Sequence, residues 1–516
     1  MKKLTSVLLT LVASTAMFAQ DFILENGSEP QSLDPALIQG VPEHRIYMAL
    51  FEGLMIFNPK TAKAEPGLAE SWKISKDGKT YTFKLRKAKW SDGRPITAQD
   101  FKDSWLRTLD PATGAQYSSL PADMIEGAKA YNTGKGKKED VQIKAVDPQT
   151  FEVTFVGPMP YVVEALTHYA FAVMPMHAIA KFGKDWIKPG NFVGNGPFTL
   201  KEWKPQDRIV CIKNNNYWDA KNVKLKSVTY LPIEDQSTAY DKYKAGEIDW
   251  VCDVDPARID EIKLRKDYQH VTGSTVYYYI FNCTRKPFTD VRVRKAFSMA
   301  LNRKELCDQV LKAGDIPTAG LVPPFGTYKT TKGNPYNPEE AKKLMAAAGF
   351  PGGKGFPKFT LIYNTSARHK KIAEWAQQQW KNTLGVDFEL QNLEWNTFLD
   401  TRQKTHDFSM SRAGWQADYP DPQNYTEVLL KTGSGLNDGL YSNKKADALM
   451  DKANRMPGGA ARDKVLMQAE DIVITQDQAL VPFFFYVNQS LINTNKWGGW
   501  YPNTQDVHPV KNLYKK

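Results

Sequence analysis

The chain has 516 residues, 42% of them apolar and 12% aromatic, which is enough to bury the cores of two or three domains. Its net charge of +11 could suggest a nucleic-acid ligand, but basic and acidic residues alternate along the whole length. Even the densest basic cluster, Lys135, Lys137 and Lys138, is followed directly by Glu139 and Asp140. The composition therefore argues against a nucleic-acid-binding groove and indicates a solvated surface.

The N-terminus has the organisation of a bacterial secretion signal. Two lysines precede an apolar run from Leu4 to about Ala16, and small residues then lead to Ala19. This run is too short for a membrane-spanning helix, and no later stretch reaches the roughly 18 uninterrupted apolar residues that a span requires. No cysteine lies near the end of the signal to carry a lipid anchor. We therefore predict that residues 1–19 are removed and that a freely diffusing protein reaches the periplasm through the Sec pathway.

Strand and helix patterns alternate in the first third of the mature chain. Asp100 stands three residues after Thr97, in the arrangement of a helix capping box. The period-two segments predict paired strands. The predicted elements are a strand at 21–27, a helix at 42–57, strands at 81–86 and 150–156, and between these strands a helix over Ala98–Leu109. From the paired strands and the helix between them we predict a small α+β insert.

The remaining chain favours strands that alternate with longer amphipathic helices, as in mixed α/β lobes. Gly349 and Gly385 stand where two of these helices are expected to end. The predicted elements are strands at 196–203, 208–214, 227–233, 246–250 and 359–364, and helices at 235–246, 291–301, 303–313, 338–348 and 370–384. Two α/β lobes with an insert between them are the predicted architecture.

Motifs for catalysis and metal binding do not occur. The chain has no G-x-S-x-G elbow, no H-E-x-x-H and no P-loop, and the glycines at 194 and 196 are followed by Pro-Phe-Thr. Its seven histidines are far apart in the sequence: His44, His168, His177, His270, His369, His406 and His508. The four cysteines lack metal-binding spacing and are compatible either with one or two disulfides or with buried free thiols: Cys211, Cys252, Cys283 and Cys307. We therefore predict neither an enzyme nor a cofactor.

The segment 68–105, LAESWKISKDGKTYTFKLRKAKWSDGRPITAQDFKDSW, is long and compositionally unusual. It resembles the signature of the family-5 extracellular solute-binding proteins, the oligopeptide, dipeptide and nickel binders of ABC importers. Further segments agree with this family in order: NGSEPQSLDP, VGNGPFTLKEW, YKAGEIDW, KPFTDVRVRKAFSMALNRKEL, NPEEAKKLMAAAGF, YNTSARHKK, LEWNTFLDTR and RAGWQADYPDP. The segments YNTSARHKK, LEWNTFLDTR and RAGWQADYPDP resemble the oligopeptide binders in particular.

The resemblance implies an α/β fold: a two-lobed periplasmic binding protein of type II (Venus-flytrap) with an α+β domain inserted in the first lobe. The implied division is residues 20–51, 177–274 and 487–516 for lobe I, 52–176 for the insert, and 275–486 for lobe II. A ligand enclosed between the lobes would shift the equilibrium between open and closed forms toward the closed one.

The resemblance also implies the roles of charged residues. Asp418 matches the family's carboxylate that pairs with the N-terminal ammonium of a peptide. Arg412, Arg402 and His369 match positions that bind the carboxylate of ligands of different length, a task that suits the planar, bidentate guanidinium group.

Eight further positions are implied to contact the ligand, through backbone approach or as walls of side-chain pockets. They are Gln39, Val41, Tyr117, Tyr278, Tyr279, Gly414, Trp415 and Gln416. At least one tyrosine of 277–279 should face the cleft, and Tyr279 could instead belong to the core. Glutamine and isoleucine stand at 39 and 280, where an oligopeptide-binding relative carries glutamates, so the negative field in the cleft should be weaker here. Gln416 and Thr275 replace two cysteines of that relative.

The function implied is capture of short peptides of about two to five residues by their backbone and termini, and delivery to an inner-membrane ABC permease. A monomer is expected. Binding of murein peptide or dipeptides is the alternative within the family. A nickel or haem carrier would require a cluster of His or Met at the lobe interface, and a secreted chaperone or hydrolase is the alternative from another class.

Overall fold

The computed structural model describes residues 22–516. Its strands, numbered β1 to β19 in chain order, are Phe22–Glu25, Met55–Phe57, Ala64–Pro66, Ala69–Ile74, Thr80–Leu85, Ile143–Asp147, Thr150–Thr154, Phe198–Lys204, Arg208–Lys213, Ser227–Leu231, Trp250–Val251, Tyr268–Phe281, Ile316–Pro317, Thr360–Asn364, Glu389–Leu393, Met410–Trp415, Leu480–Ile492, Trp497–Gly498 and Tyr514–Lys515. Its α-helices, α1 to α16, are Val41–Leu50, Ala98–Leu109, Ser119–Met124, Ala128–Asn132, Val162–Ala165, Met176–Phe182, Gln236–Ala245, Ile259–Ile262, Val291–Met299, Arg303–Glu305, Pro338–Ala347, Ala367–Leu384, Trp395–Leu399, Gln423–Leu430, Lys444–Ala453 and Ala460–Glu470.

Two long antiparallel strands, β12 and β17, connect two α/β lobes. The first part of β12, residues 268–272, pairs with the end of β17, and β11, β1, β10, β9 and β8 continue the sheet on that side. The second part, residues 276–281, pairs with β16, which is followed by β14 and β15. The register of β12 against β17 shifts between Thr272 and Val276. This irregular stretch marks the crossing from one lobe to the other.

A separate antiparallel sheet, in the order β4-β5-β7-β6, lies between β3 and the return of the chain to the first lobe. Helix α2 packs on it through Trp105, whose ring centroid lies 5.0 Å from that of Phe151. The helix begins as predicted, because the Asp100 carboxylate accepts a hydrogen bond of 2.7 Å from the backbone N–H of Thr97. The sheet and helix form the α+β region.

Several predicted helices have different ends in the structure, and the helix predicted at 303–313 consists of α10 followed by a π-helix over Leu306–Leu311. Helix α1 ends at Leu50 rather than at 57, because the Leu50 carbonyl accepts a hydrogen bond of 2.9 Å from the backbone N–H of Gly196. A Cβ at position 196 would lie 2.4 Å from the Leu50 backbone, so only glycine permits this approach. Helix α12 begins at Ala367 rather than at 370, because Ser366 serves as its N-cap.

Other predictions concern the cysteines and the N-terminus. The four cysteines are free thiols, and three of them are buried. In residues 22–516 no helix is both long and apolar enough to cross a membrane. The predicted signal peptide lies outside the described residues, and the domain boundaries given above stay predictions.

Candidate functional site

Two adjoining cavities lie where the two lobes and the α+β region meet. The first, here called the proximal chamber, has a water-accessible volume of about 130 Å³, and the second, the distal chamber, has about 310 Å³. The residues that line both are Gly40, Val41, Trp395, Arg412, Gly414 and Gln416. Each chamber includes residues of both lobes, so closure of the lobes encloses them.

Asp418 supplies a carboxylate to the proximal chamber. Its Oδ2 accepts a hydrogen bond of 3.1 Å from Asn424 Nδ2, and its Oδ1 lies 3.3 Å from His168 Nε2. Because His168 Nδ1 accepts from the backbone N–H of Ala170 at 3.2 Å, a neutral His168 carries its proton on Nε2, the nitrogen that faces Asp418. No Lys or Arg among residues 22–516 forms an ion pair with this carboxylate. It can therefore accept a cationic donor from a ligand.

Aromatic side chains form the wall around Asp418. The rings of Tyr117 and Trp415 are nearly parallel, with an angle of 16° and centroids 6.4 Å apart, and Tyr117 also contacts His168 at 4.6 Å. Asn424 Oδ1 accepts hydrogen bonds from both Trp415 Nε1 and the backbone N–H of Asp418, at 2.9 and 3.0 Å. One buried amide thus fixes the orientation of the carboxylate and of the indole together.

Arg412 lies on the boundary between the chambers and forms no ion pair with an Asp or Glu of residues 22–516. Its Nη1 and Nη2 donate to Asn364 Oδ1 and to the Tyr486 hydroxyl, at 3.2 and 3.3 Å, and its guanidinium lies 5.1 Å from the ring centroid of Tyr277. Within the described part of the chain no carboxylate lies within 4.0 Å of it, and its Nε has no hydrogen-bond partner. A Cβ at Gly414 would lie 3.0 Å from Nη2, so glycine keeps this group accessible. The arrangement suits an incoming carboxylate.

Arg402 also lines the proximal chamber, but its charge is compensated. Its Nε lies 2.8 Å from Asp438 Oδ2, and the side chain of Asp438 is only 5% exposed. Burial raises the pKa of Asp438 to about 6, although Arg402 acts in the opposite direction. At neutral pH the two side chains form an ion pair, so Arg402 is less available to a ligand carboxylate than Arg412 is.

His369 lies in the distal chamber and not in the proximal one. It is 7% exposed, and its Nδ1 has no hydrogen-bond partner among the described residues. Burial lowers the pKa of His369 well below its usual value, and Arg412 and Arg368 lower it further. The imidazole is therefore neutral and offers hydrogen bonds rather than charge.

The remaining predicted residues divide between cleft and core. Gln39, Val41, Gly414, Trp415 and Gln416 line the proximal chamber, as does Tyr278. Tyr279 does not: it is fully buried in the core of the second lobe, with its ring centroid 4.6 Å from that of Phe483. Its prediction as a site residue is wrong, because neighbouring side chains of β12 point to opposite faces of the sheet.

The sequence did not identify three residues that hold the predicted charges in place. They are His168 and Asn424, which contact Asp418, and Asp438, which pairs with Arg402. In the sequence His168 is one of seven widely separated histidines, and the residue that it contacts, Asp418, is 250 positions away. No local pattern indicates such a pair.

The strand between the charged groups has an unpaired edge. β16 pairs with β12 along its whole length, from Met410 to Trp415, but its pairing with β14 stops at Ser411. Among residues 22–516, residues 412–415 therefore have no strand partner on the side of β14, and this edge runs from Arg412 toward Asp418. An extended backbone can add to such an edge through main-chain hydrogen bonds.

Comparisons with known proteins agree with this geometry. The family model described as bacterial extracellular solute-binding proteins, family 5 Middle, matches residues 63–437. The periplasmic oligopeptide-binding protein OppA of Escherichia coli (strain K12) is 40% identical over 96% of this chain and 92% of its own length. The crystal structure of the periplasmic oligopeptide-binding protein OppAIV of Borrelia burgdorferi is 36% identical, with a TM-score of 0.93 over 96% of this chain and 99% of that one.

Two structures of a third relative define the arrangement of the lobes. The Escherichia coli murein tripeptide binding protein MppA is 34% identical and has a TM-score of 0.90, over 96% of this chain and 98% of that one. An unliganded open form of MppA covers the same shares but has a TM-score of only 0.65. The lobes of this chain therefore do not adopt the arrangement of that open form.

Proposed function

This chain belongs to the bacterial extracellular solute-binding proteins of family 5, and on this basis we propose that it captures short peptides and delivers them to an ABC importer. The proposal includes peptides of about two to five residues as ligands. It assigns the chain a binding role and not a catalytic one. The family membership and the names of the relatives support the ligand class, and the charges in the cleft support the way in which it is held.

The observation that carries the proposal is the pair of unpaired charges at the two ends of one open strand edge. Asp418 and Arg412 have opposite charge, and neither forms an ion pair with an oppositely charged Lys, Arg, Asp or Glu side chain in residues 22–516. A zwitterionic peptide has an ammonium at one end and a carboxylate at the other. With its ammonium at Asp418 and its carboxylate toward Arg412, it would run antiparallel to residues 412–415. It would then satisfy both side chains and the free edge of the strand.

Buried charges without partners are unfavourable, so a ligand binds well in the cleft only if it supplies partners for them. A ligand without a free amine would leave Asp418 facing a desolvated site without a cation. Side chains of the peptide, in contrast, would lie in spaces that are walled by aromatic residues and shared with water, so that many sequences can be accommodated.

We also propose that the mature protein works in the periplasm, after Sec-dependent export and removal of residues 1–19, as a monomer that presents the closed form to an inner-membrane permease. The periplasmic location of the curated relatives supports this.

Native mass spectrometry of protein purified without added ligand tests the function. We expect a series of bound peptides of about two to five residues. Peptides should also raise the melting temperature, because they bind the folded protein and not the unfolded chain, by about 2.7 kcal/mol of unfolding free energy at a hundredfold excess over Kd. A single bound metal ion, or a melting temperature that responds to another solute but to no peptide, would refute the proposal.

A further inference from the structure

The distal chamber contains more acidic groups than a peptide terminus requires. Four carboxylates line it, from four separate segments of the chain: Glu25, Glu234, Asp253 and Asp506. The three arginines of the same chamber are Arg45, Arg368 and Arg412. Whether the chamber has a net preference for a charged ligand depends on which of these seven groups are already compensated.

Two of the three arginines have other assigned partners and do not balance the charge of the four carboxylates. Arg368 forms a buried ion pair with Asp315, whose other oxygen accepts the backbone N–H of Val487 at 3.1 Å. Arg412 is the group to which the proposed function assigns the C-terminal carboxylate of the peptide. Arg45 alone remains to balance the four carboxylates, and within residues 22–516 it forms no ion pair closer than 4.0 Å. The chamber therefore has an excess of negative charge.

Three of the carboxylates are hydrogen-bonded, and none of the three forms an ion pair with a Lys or Arg among residues 22–516. Glu25 Oε2 accepts from the backbone N–H of Cys252 at 2.8 Å, and Asp253 Oδ2 accepts from Gln236 Nε2 at 2.6 Å. Asp506 Oδ1 lies 3.0 Å from Nε2 of the buried His508. Glu25 is itself 4% exposed, whereas Asp253 is open to the water of the chamber. Glu25, Asp253 and Asp506 are therefore held in position by hydrogen bonds.

The pKa values show the same imbalance. Burial raises the pKa of Glu25 to about 7, and neighbouring Arg45 counteracts this only in part, while Asp253 raises it further. Burial also raises the pKa of Glu234. When a cation binds next to such an acid, it stabilises the ionised form and offsets the cost of burial.

A second observation indicates that the chamber holds a ligand. His369 is almost completely buried in the chamber wall, and its Nδ1 has no partner in the described part of the chain. The Nε of Arg45 is buried and unpaired as well. Polar atoms of this kind are rare unless water or a ligand completes their hydrogen bonds. A chamber of about 310 Å³ has room for a side chain together with water.

We propose that the distal chamber binds a positively charged side chain, that of Lys or Arg, at the C-terminal residue of the peptide. This inference rests on the proposed function, since it requires that the C-terminal carboxylate lies at Arg412. The peptide carboxylate satisfies Arg412, and the side chain next to it enters the space between Glu25, Asp253 and Asp506. A metal ion is a poorer occupant, because no group of three or more His, Cys, Asp or Glu in residues 22–516 is arranged to hold one.

The proximal chamber provides the internal comparison. Its charged Lys, Arg, Asp and Glu side chains are the Arg402–Asp438 ion pair, which is neutral overall, Asp418, to which the ammonium is assigned, and Arg412, to which the peptide carboxylate is assigned. A charged side chain at the N-terminal residue should therefore change affinity little. The preference for a cation is expected at one end of the peptide only.

Calorimetry with Ala-Ala-Ala, Ala-Ala-Lys, Ala-Ala-Glu and Lys-Ala-Ala, and with the corresponding tetrapeptides, tests this. We expect Ala-Ala-Lys to bind roughly tenfold or more tightly than Ala-Ala-Glu, and Lys-Ala-Ala to bind within about threefold of Ala-Ala-Ala. At pH 7, binding of the C-terminal Lys peptide should also release protons, because the cation lowers the pKa of Glu25. This release is measured from the dependence of the binding enthalpy on the ionisation enthalpy of the buffer.

The double variant Glu25→Gln, Asp253→Asn removes two charges and keeps the shape of both side chains. It should reduce the ratio of the Kd values for Ala-Ala-Glu and Ala-Ala-Lys to near one and abolish the proton release. Glu339→Gln combined with Asp407→Asn removes the same charge from exposed positions and should leave the ratio unchanged, which controls for long-range attraction. Circular dichroism confirms that both variants are folded.

The outcomes separate the two proposals. If none of the peptides binds, including Ala-Ala-Ala, the proposed function fails. If Ala-Ala-Ala binds but the Lys and Glu peptides have equal affinity in both length series, peptide capture stands and the cationic subsite is wrong. A preference that persists unchanged in the double variant also overturns the subsite.

Discussion

Replacing Asp418 with Asn should abolish tight binding of peptides that have a free amine. The side chain is 9% exposed, and in the wild type His168 Nε2 and Asn424 Nδ2 both face its oxygens as donors. An Asn side chain has only one oxygen, so its amide group must face one of these two donors in any orientation. The substitution therefore removes the charge that pairs with the ammonium and also turns an amide N–H₂ group toward His168 Nε2 or Asn424 Nδ2.

The magnitude follows from the burial of the pair. Truncation of one member of a buried, hydrogen-bonded charge pair costs on the order of 2–5 kcal/mol, which corresponds to roughly 30- to 5,000-fold in Kd. Calorimetry with one tripeptide and its N-acetylated form measures this as a double cycle on a single contact. The wild type should bind the acetylated peptide poorly, and the variant should discriminate much less between the two forms.

Asp77→Asn, at an exposed turn, provides a matched change of charge and should leave both affinities unchanged. A melting temperature near that of the wild type shows that the Asp418 variant is folded. Equal affinity of the wild-type protein for the free and the acetylated peptide would remove Asp418 from the ammonium site.

Three further predictions concern the other charged groups. Arg412→Gln should weaken the binding of tripeptides by about 2–5 kcal/mol, and it should weaken the binding of C-terminally amidated tripeptides much less. Calorimetry that finds equal losses for both kinds of peptide would contradict the role of Arg412. His369→Ala should weaken tetrapeptides and spare tripeptides, because His369 lies beyond Arg412 in the distal chamber, and equal losses for all lengths would show that His369 is structural. Because the pKa of Glu25 is raised to about 7, its ionisation costs stability as the pH rises from about 4.5 to about 7. The melting temperature of the Glu25→Gln variant should therefore rise relative to that of the peptide-free wild type as the pH rises through this range. A difference between the two melting temperatures that does not change with pH would refute the raised pKa.

Local signals were sufficient where the structure depends on neighbouring residues. Helix α2 begins and ends as predicted, because its capping box and its apolar face lie within the same short segment. Helix α1 is shorter than predicted, because the contact of Leu50 with Gly196 joins residues 146 positions apart. Similarly, three consecutive tyrosines at 277–279 do not indicate which of them faces the cleft until the pairing of β12 with β16 fixes the register.

The charges of the site were predictable, but their compensation was not. Arg402 and Arg412 look equivalent in the sequence, as two arginines ten residues apart that match the same family task. The fold makes them different, because it brings Asp438 to Arg402, whereas Arg412 receives only Asn364 and the Tyr486 hydroxyl. The identity of a binding group depends on which of its neighbours leave it unsatisfied, and this is a property of the tertiary structure.

The distribution of the contacts between the lobes explains how a peptide can favour the closed form. Asp418 and Arg412, with their supports Asn424 and Tyr486, all belong to the half of the structure that follows the crossing in β12. Both termini of a peptide can thus be held by one lobe. Val41, Tyr117 and His168 line the proximal chamber from the other side of the cleft, so a peptide held at Asp418 can contact them only when the cleft is closed. Because the ligand gains such contacts only in the closed form, its affinity for that form is higher, and this difference shifts the equilibrium.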